Sequence, residues 1–381
     1  MSGSYPYWRL SLFYLFYFAL LGGLVPYWAL YLESLNFNPE QIGLLMAILM
    51  GTRIIAPNLW GWLADHSGQR LAIIRGGSLV ALLVFSAAFW VDGFASMALL
   101  MFGFTFFWNA VLPQFEVVTL RAMGTARNRY SHVRLWGSIG FILAVVGIGA
   151  LLDRVGMAAL VPTLWLLLAS IWLASLWVKV NVDRAVESSN SPALWAVLKR
   201  REIQVFLLIC MLVQLGHGPY YTFYSVFMQE HGYGKTAIGS LWALGVIAEV
   251  AVFLVMHRLL QGWGLRRIFI GGLWICALRW LLISQWPDLA VVVVGAQLLH
   301  AVTFGCLHAA SIAFVHQYFP SASQGQGQAL YSSVGFGLGG ALGAYLSGVA
   351  WSMMGGPQVF MAAAIVSAAG AILAWRMLRV D

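Results

Sequence analysis

Charge is scarce in this chain. Asp, Glu, Lys and Arg make up 9% of its 381 residues, against 61% hydrophobic. A soluble domain carries about 25% charged residues, so a soluble globule is excluded. Cysteine is scarce too: Cys210, Cys276 and Cys306 all fall inside apolar runs. That odd, buried set excludes a disulfide framework and a cysteine metal site. Zinc-ligand spacing, a phosphate-cradling P-loop and a nucleophile elbow are all missing. The sequence therefore argues against an enzyme and calls for no metal or organic cofactor. The net charge of +8 sits in short loops between apolar runs, which points to membrane topology and away from nucleic acid.

What the chain does have is apolar length. Runs of roughly 20 residues recur from end to end, long enough to cross a bilayer as helices and too continuous for the alternating strands of a β-barrel. Twelve spans are predicted, at 7–32, 40–63, 71–91, 94–121, 133–152, 157–179, 203–229, 236–259, 267–286, 289–315, 327–352 and 357–378. The first run, "WRLSLFYLFYFALLGGLVPYWALYL", is too long for the apolar core of a secretory signal and is read as a retained helix. With twelve spans, one side holds Arg9, Arg70, Arg75, Arg121, Arg127, Arg129, Arg134, Lys179, Arg184, Lys199, Arg200, Arg201, Arg258, Arg266, Arg267, Arg376 and Arg379. The other holds only Arg154 and Lys235. This asymmetry places both termini on the cytoplasmic side.

One polar linker, "NVDRAVESSNSP" at 181–192, interrupts the pattern, and "ALWAVLKRREI" behind it reads as a short basic amphipathic helix. The expected organisation is a six-helix half at 1–180, a linker at 181–202 and a second six-helix half at 203–381. The halves repeat. "RLWGSIGF" at 134–141 matches "ALYSSVGF" at 329–336, an offset of 195, and "GWLADHSGQR" at 61–70 matches "HRLLQGWGLR" at 257–266, an offset of 196. The expected fold is an all-α membrane protein of twelve transmembrane helices in two pseudo-symmetric halves. Paired halves with a site near the midplane are a transporter architecture.

Four charged residues stand out inside the spans. Glu116 lies at the end of a long uncharged run, five residues before Arg121, and Arg134 opens the next helix. Antiparallel neighbours joined by a short loop bring Glu116 and Arg134 to similar depth, so a buried ion pair is expected. Ala329 is the repeat partner of Arg134, so the helix frame alone does not demand an arginine there. The 196 offset also pairs Arg53 with Glu249, placing opposite charges at pseudo-equivalent positions. Ionisable residues inside a bilayer mark solute and proton pathways.

"GWLADHSGQR" resembles the signature loop of the major facilitator superfamily, with Gly61, Asp65, Gly68 and Arg70 in place and His66 where a basic residue is usual. "RIIAPNLWGWLAD", "YSHVRLWGSIGF" and "LLHAVTFGCLHAA" resemble the phenylpropionate permease family, which is similar to the oligosaccharide:proton symporters of the lactose permease type. The resemblance covers all twelve spans. It implies a conformational latch at Gly61, Asp65, Gly68 and Arg70. It implies that Glu116 and Arg134, 18 residues apart, hold substrate. Glu249, His300 and Arg279 match the proton-coupling cluster of such symporters, but the carboxylate expected three residues after the histidine is Thr303 here, so Glu249 or His300 takes the proton. Helices 1, 4, 7 and 10 line the cavity in this superfamily, which adds Tyr220 and Phe304 as substrate-contact candidates, and Arg53 in the second span would suit a substrate carboxylate as a charge-assisted partner.

The expected activity is proton-coupled uptake of a small organic solute such as an aromatic carboxylate, by a monomer in a bacterial inner membrane, with protons as the coupling ion. Sugar or nucleoside symport and proton-coupled export are the alternatives. A non-transporting scaffold is disfavoured by the cost of so many intramembrane charges. The glycines at 335, 339 and 343 are expected to be a helix-packing face.

Overall fold

Inside hydrocarbon a backbone N–H or C=O without a partner is costly, and a helix satisfies every such group within one segment. In the computed structural model the apolar runs are helices throughout the described residues, 5–180, 194–320 and 323–379. The order is α1 (Tyr7–Ser34), α2 (Pro39–Ser67), α3 (Arg70–Phe89), α4 (Phe94–Met123), α5 (Tyr130–Val155), α6 (Met157–Trp177) and α7 (Arg201–Glu230). A 51-residue stretch, Lys235–Gln285, follows. A straight helix of that length would run about 76 Å, far more than a bilayer core. The stretch breaks at Gly264, whose φ of 72° and ψ of 165° are not helical, and gives α8 (235–263) and α9 (265–285). Then come α10 (Ala290–Tyr318), α11 (Gln324–Met354) and α12 (Gly356–Met377). Among the described residues eleven helical stretches, one of them broken at Gly264, thus supply the twelve expected spans. Of the linker, residues 181–192 lie outside the described residues; the helix expected behind it is a single turn or so, Leu194–Leu198.

The chain divides into two compact units. One comprises the described residues of Met1–Phe37, Thr52–Val186 and Gly234–Ser240, the other those of Asn38–Gly51, Glu187–Tyr233 and Leu241–Asp381. Relative to a plain six-plus-six division, two short segments are exchanged: the start of α2 goes with the second unit and the start of α8 with the first.

The repeat is written into the backbone. Left-handed φ angles occur at Asn36 and Gly232, 196 residues apart, at Gly68 and Gly264, also 196 apart, and at Gly156 and Gly355, 199 apart. Each pair ends or joins corresponding helices. Arginines cap corresponding helix ends as well. Arg75 donates to the carbonyls of Ser175 and Val178 at the end of α6, and Arg266 donates to those of Trp375 and Leu378 at the end of α12. These carbonyls have no partner within their own helix.

Within the second unit α11 packs along α7 through its glycines, as the spacing predicts. A Cβ on Gly339 would lie 2.6 Å from the Met211 carbonyl oxygen, and one on Gly343 would lie 2.8 Å from that of Leu215. A Cβ on Gly335 would meet the Cys210 oxygen at an ordinary 3.6 Å. The consequence is testable by thermal unfolding in detergent. Gly343→Ala is expected to lose about 1–3 kcal/mol through overpacking. Gly335→Ala is expected to hold wild-type stability or gain up to about 1 kcal/mol from helix propensity. Equal loss in both variants would refute the packing face.

Candidate functional site

The first unit gathers three charged residues around α1. Glu116 follows Pro113 by three residues on α4, and Arg134 lies one turn into α5. They face each other as expected, with Arg134 Nε 3.9 Å from Glu116 Oε1. The pair is not buried, however: their side chains are 33% and 38% exposed. The expectation of a buried ion pair is corrected on this point, and the guanidinium has a second neighbour. The Arg134 guanidinium carbon sits 3.9 Å from the centroid of Phe18 on α1, a cation–π distance, with Tyr14 at 5.7 Å. Tyr130 donates to Glu116 Oε1 at 3.5 Å. Arg53 belongs to the same neighbourhood, since Tyr17 lies within electrostatic reach of Arg53, Glu116 and Arg134 together. Beside Arg53, Thr52 donates to Thr105, and Asn109 donates to Thr52 at 2.9 Å, tying α2 to α4.

The latch residues also converge. Gly68 makes the turn with φ 67°, and Arg70 donates to Asp65 and to Gln114 of α4. A Cβ on Gly61 would press on the Gln114 amide at 3.3 Å. Gln114, two residues from Glu116, was missed in the sequence because a glutamine in an apolar run carries no charge signal.

The second unit holds a dry cluster. Arg279 of α9 is wholly buried. Its Nε donates to the Ala296 carbonyl at 2.9 Å, Nη1 to His300 Nδ1 at 2.9 Å and to Thr303 Oγ1 at 3.1 Å, and Nη2 to Gln297 Oε1 at 3.1 Å. The rings of Tyr220 and Trp280 flank it at 4.3 and 4.6 Å. His300 Nε2 faces Glu249 Oε1 of α8 at 3.5 Å. The structure therefore brings Glu249, His300 and Arg279 into one chain. Tyr220 joins it by donating to Gln297 Oε1 at 3.1 Å. Thr303 stands as a neutral acceptor where the resembled symporters carry a carboxylate.

Beyond His300 the helix winds as a π-helix over Ala301–Cys306, a form that is frequent at functional sites. Phe304 stacks between His300 and His308 at 5.4 and 5.8 Å. It borders a small recess lined also by Cys210, Gln214, Thr303, Ser311 and Tyr331. Gln297, Phe18 and Tyr130 were not singled out from sequence. The one available signal was spacing: Tyr14, Tyr17 and Phe18 share a face of α1, and Gln297 lies one turn before His300.

The two clusters should answer to mutation differently. Arg134→Gln removes a half-open pair and is expected to cost under about 1 kcal/mol. Arg279→Gln strips a buried network and is expected to cost about 3–5 kcal/mol. Thermal unfolding of the two purified variants checks this; equal losses would mean that Arg134 is as structural as Arg279.

Comparison with known proteins places this arrangement. The MFS_1 like family model matches residues 7–362. The probable 3-phenylpropionic acid transporter of Escherichia coli (strain K12) is 29% identical over 373 residues, covering 94% of each chain. The maltose permease of Geobacillus stearothermophilus is 26% identical over 344 residues, covering 87% of this chain and 85% of that one. Among solved structures, the nucleoside transporter NupG superposes with a TM-score of 0.86 at 17% identity, over 98% of this chain and 99% of that one. With a family model matched over nearly its whole length, the chain belongs to the MFS_1 like family, within the transporters of the major facilitator superfamily.

Proposed function

We propose that this transporter works by alternating access and couples proton influx to the uptake of a small organic solute, an aromatic carboxylate of the phenylpropionate type. It acts as a monomer in a bacterial inner membrane with both termini cytoplasmic, and needs no cofactor beyond the proton. The observation that carries the reading is the Glu249–His300–Arg279 chain. A carboxylate, an imidazole and a guanidinium linked inside apolar helices are expensive unless they work, and titratable chains of this kind serve as proton relays. The phenylpropionate transporter among the relatives supports the solute class, and Arg134, which keeps only a loose partner, supplies a charge-assisted site for a carboxylate.

A second reading, sugar or nucleoside symport, draws on a separate observation. Glu116 and Arg134 present an acceptor and a donor side by side next to the Phe18 ring, which suits a hydroxylated ring, and a maltose permease is among the relatives.

The test is uptake into proteoliposomes with an imposed pH gradient, acid outside. The expected outcome is accumulation of 3-phenylpropionate that a protonophore abolishes, and its loss in Arg134→Gln. Accumulation of maltose or uridine in its place would establish the second reading. Uptake of any of the three that ignores the gradient would end the proton-coupled reading.

A further inference from the structure

The corner between α8 and α9 lies beside the end of α12. Arg266 holds them together, donating from Nη2 to the Trp375 carbonyl at 2.6 Å and from Nε to that of Leu378 at 2.9 Å. Both elements belong to the second unit. We propose that this corner is a binding site for an anionic phospholipid, whose headgroup phosphate meets Arg266, Arg267, Arg376 and Arg379 while an acyl chain lies along α12.

The corner has charge without counter-charge. Arg267, Arg376 and Arg379 are exposed. Among the described residues no carboxylate forms an ion pair with any of the four arginines. Arg266 spends only Nε and Nη2 on carbonyls, which leaves Nη1 to donate. Guanidinium groups offer paired donors that match phosphate oxygens, and they shed water more readily than ammonium groups.

The repeat supplies a comparison on the same backbone frame. At the 196 offset Arg266 corresponds to Arg70, Arg267 to Leu71 and Gln261 to Asp65. At the 199 offset Arg376 corresponds to Trp177 and Arg379 to Val180. In the first unit Arg70 is taken up by Asp65 and Gln114, and Arg75 by carbonyls at the end of α6. Lys179 is the exposed cation beside them. The second unit has thus gained three arginines and lost the carboxylate. Membrane topology asks only for an excess of cations on one side. It asks neither for their gathering at one corner nor for the loss of the carboxylate, which the first unit keeps.

Apolar surface runs up to these charges. Ile365, Ile372 and Trp375 of α12 are 64%, 43% and 60% exposed. Their spacing puts them on one stripe of the helix, and Arg376, four residues after Ile372, tops it. Trp263, at the α8 side of the corner, is 61% exposed. Tryptophan rings settle at headgroup level, where the indole N–H finds an acceptor. An apolar stripe below, arginines above and indoles between them complement a phospholipid part by part. A free phosphate would meet the same arginines and leave the stripe and both indoles uncovered.

The test uses the full chain, purified in neutral detergent and stripped of lipid. Retained lipid is read by native mass spectrometry and protection by thermal unfolding. Dioleoylphosphatidylglycerol, dioleoylphosphatidylcholine with the same chains, and inorganic phosphate are compared at equal concentrations. The anionic lipid is expected to bind about tenfold more tightly than the zwitterionic one and to lose that advantage in high salt. Inorganic phosphate is expected to give no protection.

A cation near an anionic headgroup is worth about fivefold in affinity. The double variant Arg267→Gln/Arg376→Gln is therefore expected to bind phosphatidylglycerol about twentyfold more weakly and to treat the two lipids alike. Both side chains are exposed, so the fold is expected to survive; should the double variant misfold, each single variant is expected to lose about fivefold. Lys179→Gln, at the corresponding corner of the first unit, is expected to bind as wild type does. Unchanged binding in the Arg267 and Arg376 variants, an equal loss in Lys179→Gln, or no preference for the anionic lipid would overturn the proposal. Equal protection by inorganic phosphate would overturn it too, by making the corner an anion site. No transported solute enters these measurements, so their outcome is separate from that of the proton-coupled reading.

Discussion

A guanidinium that water cannot reach must have its charge and its N–H groups answered by protein, and Arg279 imposes that demand on the second unit. All four of its acceptors sit on α10, the Ala296 carbonyl and the side chains of Gln297, His300 and Thr303. That single requirement fixes the rotation of α10 against α9. The π-helical stretch begins at Ala301, directly after His300, and carries both Thr303, which bonds the guanidinium, and Phe304, which borders the recess. The same requirement also sets the place of α7, whose Tyr220 covers the guanidinium face and bonds Gln297.

Close helix approach is the second constraint, and it is repeated. In the second unit a Cβ on Gly43 of α2 would lie 2.7 Å from Gly348 Cα of α11. In the first, a Cβ on Gly239 of α8 would lie 2.3 Å from the Val145 oxygen of α5, and one on Gly149 would lie 2.5 Å from that of Lys235. Residues 43 and 239 are 196 apart and residues 149 and 348 are 199 apart, so the same glycine contact is made twice. The copies are not equal. Asp153 accepts from the N–H groups of Lys235 and Thr236 and from the Thr236 hydroxyl, satisfying donors that a helix start leaves open. Its counterpart 199 residues on is Ser352, which has no charge to offer. Glycine contacts explain why the start of α2 and the start of α8 each group with the other repeat's unit.

Much of this was legible in the sequence because hydrocarbon permits so little. Span positions follow from apolar length, and the broken stretch at Gly264 follows from the match with Gly68. The members of the Arg279 chain were found because charges in apolar runs are conspicuous and resemble a known pattern. Gln114 and Gln297 were not, since a neutral amide gains its meaning only from the arginine it meets. The state of the Glu116–Arg134 pair was misjudged for a related reason. Spacing along α4 and α5 predicts that the two side chains meet, but only the packing of α1 shows that Phe18 takes a share of the guanidinium.

The difference between the two clusters has a physical logic. An ion pair held only loosely is worth little, so a solute group can replace a partner at small cost; Arg134 and Glu116, 3.9 Å apart and a third exposed, are of that kind. A charge sealed from water needs fixed partners, and exchanging any of them for a solute group would leave another group unsatisfied. One repeat frame, built twice and charged differently, therefore carries a partly exposed ion pair in one unit and a buried, fully bonded arginine in the other. Ala329 in the place of Arg134 and the opposite charges of Arg53 and Glu249 show that this division lies in side chains, with the backbone repeat left intact.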